Sequence, residues 1–277
     1  MKKNSGIYLC DYHVHTSFSF DASGTIEDCC ETAISQGLDE IGFSEHVGID
    51  TSDEAYGTLD FEGYARAVDN AREKYDGRLE IRFGVEIDFR SHVIQEIADF
   101  IEKHDFDFVM GGIHYIDGEM IIRTGPFESR PWREIWNDYF SEMRKMAHCG
   151  LFDIIAHFDV AKRGHVPIHG PFAWQEYEGS IREILEIIIK TRAALEINTA
   201  GLRKQANEIL PGQGVLNLYR KLGGELVTFG SDAHSPAKVG CDLDKGMRAA
   251  SEAGLTHVAV YRNRKVSLLP FCPGTGS

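Results

Sequence analysis

Short apolar runs alternate along this chain with longer segments whose apolar residues recur at three- and four-residue spacing. The first pattern predicts strands and the second amphipathic helices. Residues 7–15 read as a strand. Residues 25–36 read as a helix, with Thr25 as N-cap, Asp28 three positions on, and Gly37 at the stop. Further strands are predicted over 38–44, 79–87, 106–114, 152–158, 194–198 and 226–230, and a short last one over 257–261. Helices are predicted between them over 61–75, 91–103, 131–149, 180–191, 215–222 and 237–253. Strand and helix thus alternate about seven times, the signature of a parallel α/β protein, either a closed barrel or an open doubly wound sheet. No G-x-G-x-x-G or Walker-type loop follows any strand, which counts against a nucleotide-binding doubly wound fold.

The chain has 277 residues, enough for one large domain or two small ones. No linker rich in Pro, Gly or Ser divides it, so residues 1–277 are expected to form a single domain. Its 43% hydrophobic content supplies a sizeable core and rules out a disordered chain. No apolar run approaches the ~18 residues of a membrane span, and residues 1–9 do not resemble a signal peptide. The formal charge of −14 repels phosphate backbones, so nucleic-acid binding is not expected. A small anionic substrate stays possible, because bound cations invert the field inside a cleft. The six cysteines (Cys10, Cys29, Cys30, Cys149, Cys241, Cys272) form no C-x-x-C pair and read as reduced thiols in the cytoplasm.

The twelve histidines change the picture, because half of them fall at predicted strand ends. His13 and His15 close the first strand, on one face of it. Asp21 follows in a polar loop, His46 follows the second strand, and Glu86 ends the third. His114 and His157 end the fourth and fifth, and Asp232 and His234 follow the seventh. In a closed barrel those ends share one rim, so residues far apart in sequence converge there. Imidazole with carboxylate suits Zn, Fe or Mn, and the absence of thiolate argues against a structural zinc site. Six histidines and three carboxylates are too many for one ion and suit two or three divalent ions, with Glu86 a natural bridge. One strand-end histidine alone is more often a hydrogen-bonded residue than a ligand; nine ligand-type residues at such positions are hard to explain that way. The other histidines (92, 104, 148, 165, 169 and 257) are expected to be mostly solvated.

The pattern His13-x-His15, Asp21, Ser44-Glu45-His46, Gly84-Val85-Glu86, Gly112-Ile113-His114, His157 and Ser231-Asp232-Ala233-His234 resembles the PHP (polymerase and histidinol phosphatase) superfamily. The likeness runs from about residue 10 to 235; the long inserts between motifs, the stretch from Glu196 to Lys204 and His157-Phe158-Asp159 look like those of its monofunctional histidinol-phosphate phosphatases. It implies a distorted (β/α)7 TIM-like barrel with three ions. By the resemblance, His13, His15, Glu86 and Asp232 would hold one, Glu86, His114 and His157 a second, and Asp21, His46 and His234 a third. Many superfamily members carry a histidine where this chain has Asp21.

The implied chemistry is hydrolysis of a phosphate monoester, with L-histidinol phosphate as the expected substrate. A hydroxide bridging two ions attacks phosphorus, and Asp232 belongs to that catalytic cluster. A phosphoryl group also wants a basic clamp. Arg163, on the loop after His157, is the first candidate for it, with Arg203 and Lys204 after the sixth strand as further ones. Asp11, two residues before His13, is a candidate to orient a ligating imidazole or, equally, a buried structural carboxylate. The loop over 117–130 carries Glu119, Arg123 and Glu128, and Glu119 is the candidate partner for a substrate ammonium. Trp132 and Trp136, at i and i+4, are expected to anchor a helix in the core. Three alternatives remain open: another phosphoesterase of the superfamily acting on nucleotides, sugar phosphates or phosphotyrosine, a metal-dependent amide or lactone hydrolase, and a non-catalytic metal-binding module.

Overall fold

The computed structural model describes residues 7–271, apart from 124–126 and 128. The elements in chain order are β1 (Cys10–Val14), α1 (Ile26–Gln36), β2 (Glu40–Val47), α2 (Phe61–Lys74), β3 (Glu80–Asp88), α3 (Ile94–Glu102) and β4 (Phe108–Gly112). Next come the two-residue strands β5 (Tyr115–Ile116) and β6 (Glu119–Met120), then α4 (Trp132–Cys149), β7 (Ile154–Ile155), α5 (Lys162–His169) and α6 (Glu178–Thr191). The chain continues with β8 (Ala194–Asn198), α7 (Gln213–Lys221), β9 (Val227–Gly230), α8 (Leu243–Glu252), β10 (His257–Arg262) and β11 (Lys265–Pro270).

Seven strands form one parallel sheet in the order β1-β2-β3-β4-β7-β8-β9. The sheet curls until its edges meet: the His15 N–H donates to the Ala233 carbonyl at 2.8 Å, and the Ala233 N–H to that of His13 at 3.2 Å. The result is a nearly closed, distorted TIM-like barrel. Its helices bury apolar stripes against it; in α6 these are Ile181, Ile184, Leu185 and Ile188, at helical spacing. Local chemistry sets the helix ends where the sequence says it should. Thr25 and Asp28 form a reciprocal capping box on α1, and Gly37 closes it with φ 75°.

The interior is filled from the floor upward. Glu40 accepts hydrogen bonds from the Tyr12 hydroxyl and, at 2.7 Å, from Arg82 Nη2. Above it the Phe108 ring occupies space that side chains at Gly42 and Gly84 would need; a β-carbon on Gly42 would lie 2.9 Å from the ring. Strand β1 carries an irregularity just here. Asp11 pairs with Ile41 and Val14 with Phe43, so β1 holds one extra residue. That shift lets Tyr12 meet the floor while His13 and His15 both reach the cluster above it.

Four elements differ from the sequence reading. The fifth barrel strand is only Ile154–Ile155, because the chain turns away at His157, whose φ is 21°. Helix α5 shows no helical signal in sequence, since Gly164 and Pro167 lie within it. The hairpin β5–β6 is too short to show a periodic pattern. Strand β11 pairs with β10 across Asn263 and Arg264, both with positive φ (48° and 60°), a two-residue hairpin turn without the usual glycine. Arg264 is held there by its N–H on the Asp107 carbonyl and its Nε on Asp153 Oδ2, each at 2.8 Å. Trp132 and Trp136 are buried and hold α4 to the core.

Candidate metal centre

The upper barrel rim collects the ligand-type side chains. Glu86, on the inner face of β3, is their hub and is 1% exposed. Its Oε2 lies 3.2 Å from His13 Nε2, 3.5 Å from His15 Nε2 and 3.2 Å from His46 Nδ1. Its Oε1 lies 2.8 Å from His157 Nε2 and 3.5 Å from His114 Nε2. Asp232 Oδ1 faces His13 Nε2 at 3.7 Å and His15 Nε2 at 3.9 Å. Asp21, set in the loop after β1, lies 3.2 Å from His234 Nε2 and 3.6 Å from His46 Nε2. All nine candidate ligands therefore stand in one connected cluster.

Three groups within it place their donor atoms within 4.8 Å of one another: His13, His15 and Asp232; His13, Glu86 and His157; and His15, His46 and His234. The donor set fits divalent ions on two counts. It is all imidazole and carboxylate. Moreover, His15 Nε2 and Glu86 Oε1 are buried in the cluster without a hydrogen bond, a costly arrangement unless a cation takes their lone pairs. The electrostatics within the cluster are mixed. Burial works against charge on His13, yet Glu196, Glu86 and Asp232 around it hold its pKa well above the ordinary value. His15 goes the other way: burial and its histidine neighbours press it well below, leaving a neutral imidazole. Burial opposes the Glu86 carboxylate too, but His13 and His114 hold its pKa well below normal.

The outer layer is where sequence reasoning missed most. Glu196, on β8, places Oε1 2.6 Å from His13 Nδ1, and its Oε2 accepts the His157 N–H at 2.6 Å. With a cation bound, its contact with Nδ1 would keep the proton there and leave His13 Nε2 for the ion, and it secures the His157 backbone in its positive-φ turn. Glu45 accepts from the Ser19 hydroxyl at 2.5 Å and from Thr16, and Ser19 Oγ in turn lies 3.3 Å from His15 Nδ1. Asp88 Oδ1 stands 3.2 Å from His114 Nδ1. A carboxylate two positions from an inward-facing strand residue, as Glu196 is from Asn198, was the available signal. Asp11 takes the structural one of its two expected roles. It binds the N–H groups of Ser231 and Gly240 and the Ser231 hydroxyl, so it anchors the turn that carries Asp232, whose φ is 52°, and not an imidazole.

A cleft opens over the cluster, lined by most of the metal-ligand candidates and by Arg163, Asp53 and Asp88. Arg163, at the start of α5, lines it, with Nη1 3.7 Å from Asp232 Oδ2. Lys204 shares a second groove with Arg163, whose positive charge holds the lysine below its ordinary pKa. Arg203 lines that groove too, but its guanidinium is taken up by the Thr199, Ser231 and Cys241 carbonyls and by Asp242. Glu119 is exposed on β6 and does not line the cleft; Met120 beside it does. Glu128 lies outside the described residues, as does Cys272. Of the remaining histidines, His165 is buried against Trp132, contrary to expectation.

Among the described residues no helix is long and apolar enough to cross a membrane. A sequence profile of the PHP domain matches residues 11–200. The chain is 27% identical to a probable histidinol-phosphatase of Deinococcus radiodurans, over 93% of this chain and 98% of that one. It is equally similar, at 27%, to a probable histidinol-phosphatase of Clostridium acetobutylicum, over 90% and 95%. Among solved structures, the histidinol phosphate phosphatase of Lactococcus lactis, complexed with zinc, L-histidinol and phosphate, superposes with a TM-score of 0.83 at 23% identity, over 94% of this chain and 99% of that one.

Proposed function

The chain belongs to the PHP domain family, and from that premise we propose that it is a metal-dependent phosphate monoester hydrolase acting on L-histidinol phosphate in histidine biosynthesis. The observation that carries the reading is the convergence of six imidazoles and three carboxylates on one rim, two of their donor atoms buried without partners. The substrate rests on the full-length likeness to the two probable histidinol-phosphatases. The zinc, L-histidinol and phosphate of the Lactococcus lactis structure agree with it. We place two or three ions here, zinc among them, with iron and manganese as further candidates suited to the donor set. In this reading the whole chain is one metallophosphoesterase working in the cytoplasm.

His13, His15, Glu86 and Asp232 would hold one ion, Glu86, His114 and His157 a second, and His46 and His234 with Asp21 a third. His15 stands in the group with His46 and His234 as well as in that with His13 and Asp232, so its one free ring nitrogen would serve one of the two ions and not both. Once bound, such ions acidify a water for attack and offset charge on the phosphoryl oxygens. The chain's own contribution is placement. Arg163 grips phosphoryl oxygens from the side of Asp232 and His157, and Lys204 adds positive charge at the outer groove. Glu196, through His13 Nδ1 and the His157 N–H, keeps those two imidazoles aimed inward. The assignment is tested by phosphate release from L-histidinol phosphate against nucleotides, sugar phosphates and phosphotyrosine, before and after chelation. Preference for L-histidinol phosphate, abolished by chelation and restored by zinc or manganese, is the expected result. No release from any monoester after reconstitution would refute it and favour an amide hydrolase or a binding role.

A further inference from the structure

The cleft lining carries one arginine, Arg163, which stands 3.7 Å from Asp232 Oδ2. Near His114 the lining includes two carboxylates outside the ligand set, Asp88 and Asp53. Asp88 is fully engaged: Oδ1 accepts the His114 N–H at 2.9 Å, and Oδ2 accepts from Arg90 Nε at 2.5 Å. Asp53 is not. Its Oδ1 accepts the Ala55 N–H at 2.8 Å, but Oδ2 is buried with no hydrogen-bond partner. The residue is only 8% exposed and lines the cleft.

The charged groups facing it are Asp88, His114 and Arg90. The Arg90 guanidinium lies 4.0 Å over the Tyr115 ring and has its ion pair with Asp88. That pairing leaves Asp53 Oδ2 without a hydrogen-bond donor. The fold makes room for this side chain: a β-carbon on Gly48 would lie 2.6 Å from Asp53 Cγ, so only glycine at 48 lets the carboxylate seat there. A buried carboxylate oxygen with no hydrogen-bond donor, on a residue lining the cleft, is costly unless a ligand's N–H group completes it.

We propose that Asp53 is a specificity-determining residue that receives the cationic group of the substrate, so that the cleft selects phosphomonoesters bearing an ammonium or imidazolium group over neutral or anionic ones. This rests on the phosphatase reading above and deepens it. It moves the substrate's cation partner from Glu119, exposed outside the cleft, to a residue inside it.

The test measures kcat/KM on the zinc-reconstituted enzyme for L-histidinol phosphate, phosphoethanolamine and glycerol phosphate. The variants are Asp53→Asn and Asp53→Ser. The ratio of either cationic ester to glycerol phosphate should fall roughly ten- to a hundredfold in both variants, mostly through KM, as when one charge-assisted hydrogen bond is lost. Equal loss on all three esters would make Asp53 structural and overturn the proposal, as would an unchanged ratio. So would a wild-type enzyme with no preference for cationic esters. If the wild type favours phosphoethanolamine and rejects L-histidinol phosphate, the substrate assignment falls while Asp53 stands, provided the phosphoethanolamine ratio drops in the variants.

Discussion

Glu196→Gln isolates the outer layer of the metal centre, because it removes a charge while keeping the shape. Both oxygens of Glu196 face donors: His13 Nδ1 and the His157 N–H, each at 2.6 Å, with Asn198 Nδ2 at 3.2 Å from both. A glutamine has one oxygen and one NH2 for these places. With the NH2 toward His157, a buried N–H loses its acceptor, at about 1–3 kcal/mol. With the NH2 toward His13, the imidazole must change tautomer, and the proton then sits on Nε2, where a metal would bind. Either way affinity at the His13 site should fall about 10- to 100-fold, or roughly 1.4–2.7 kcal/mol. Metal per chain by elemental analysis, competition against a chromophoric chelator, and kcat/KM against metal concentration read the effect. Activity should return at raised metal, on a curve shifted by that factor. A variant with wild-type affinity and turnover would refute the role assigned to Glu196.

Arg163→Ala should raise KM for the phosphate ester roughly tenfold or more while metal content stays at the wild-type value; an unchanged KM would remove it from the clamp. Gly84→Ala should cost about 1–3 kcal/mol in urea unfolding, because its β-carbon meets the Phe108 ring inside the barrel. A loss below about 0.5 kcal/mol would mean the interior is loose there. His165 supplies a pH effect. Burial, with His169 beside it, lowers its pKa from 6.5 to about 4, so the folded protein keeps it neutral. Its stabilising contribution is complete above the unfolded pKa and is lost as pH falls from about 6.5 toward 4, by up to about 2 kcal/mol between pH 7 and 5. His165→Phe should flatten that part of the melting-temperature profile relative to wild type, and an equal slope in both would contradict the assignment.

Much of this was legible in sequence because the relevant signals are local. The alternation of strand and helix is written in periods of two and 3.6 residues, and the Thr25–Asp28 capping box and Gly37 stop lie within a few positions of each other. The metal-ligand candidates are legible for a related reason: all but Asp21 end or closely follow a strand, and a parallel barrel brings strand ends together whatever the intervening sequence.

What only the tertiary structure decided has no local period. Glu196 meets His13 across 183 residues, and nothing near either one announces the other. Residues as ordinary in sequence as Asp53 and Glu119 part company because one is buried at the cleft and the other is exposed on β6. Arg203, basic and well placed in sequence, is consumed by carbonyls that the fold brings to it. Helix α5 contains Gly164 and Pro167, and the Asn263–Arg264 turn lacks the usual glycine; long-range contacts, not local propensity, place Arg264. The sequence thus determined which side chains end strands and hence share a rim. Packing and the competition for hydrogen-bond partners decided which of them are held rigid, which are spent, and which carboxylate remains free for a ligand.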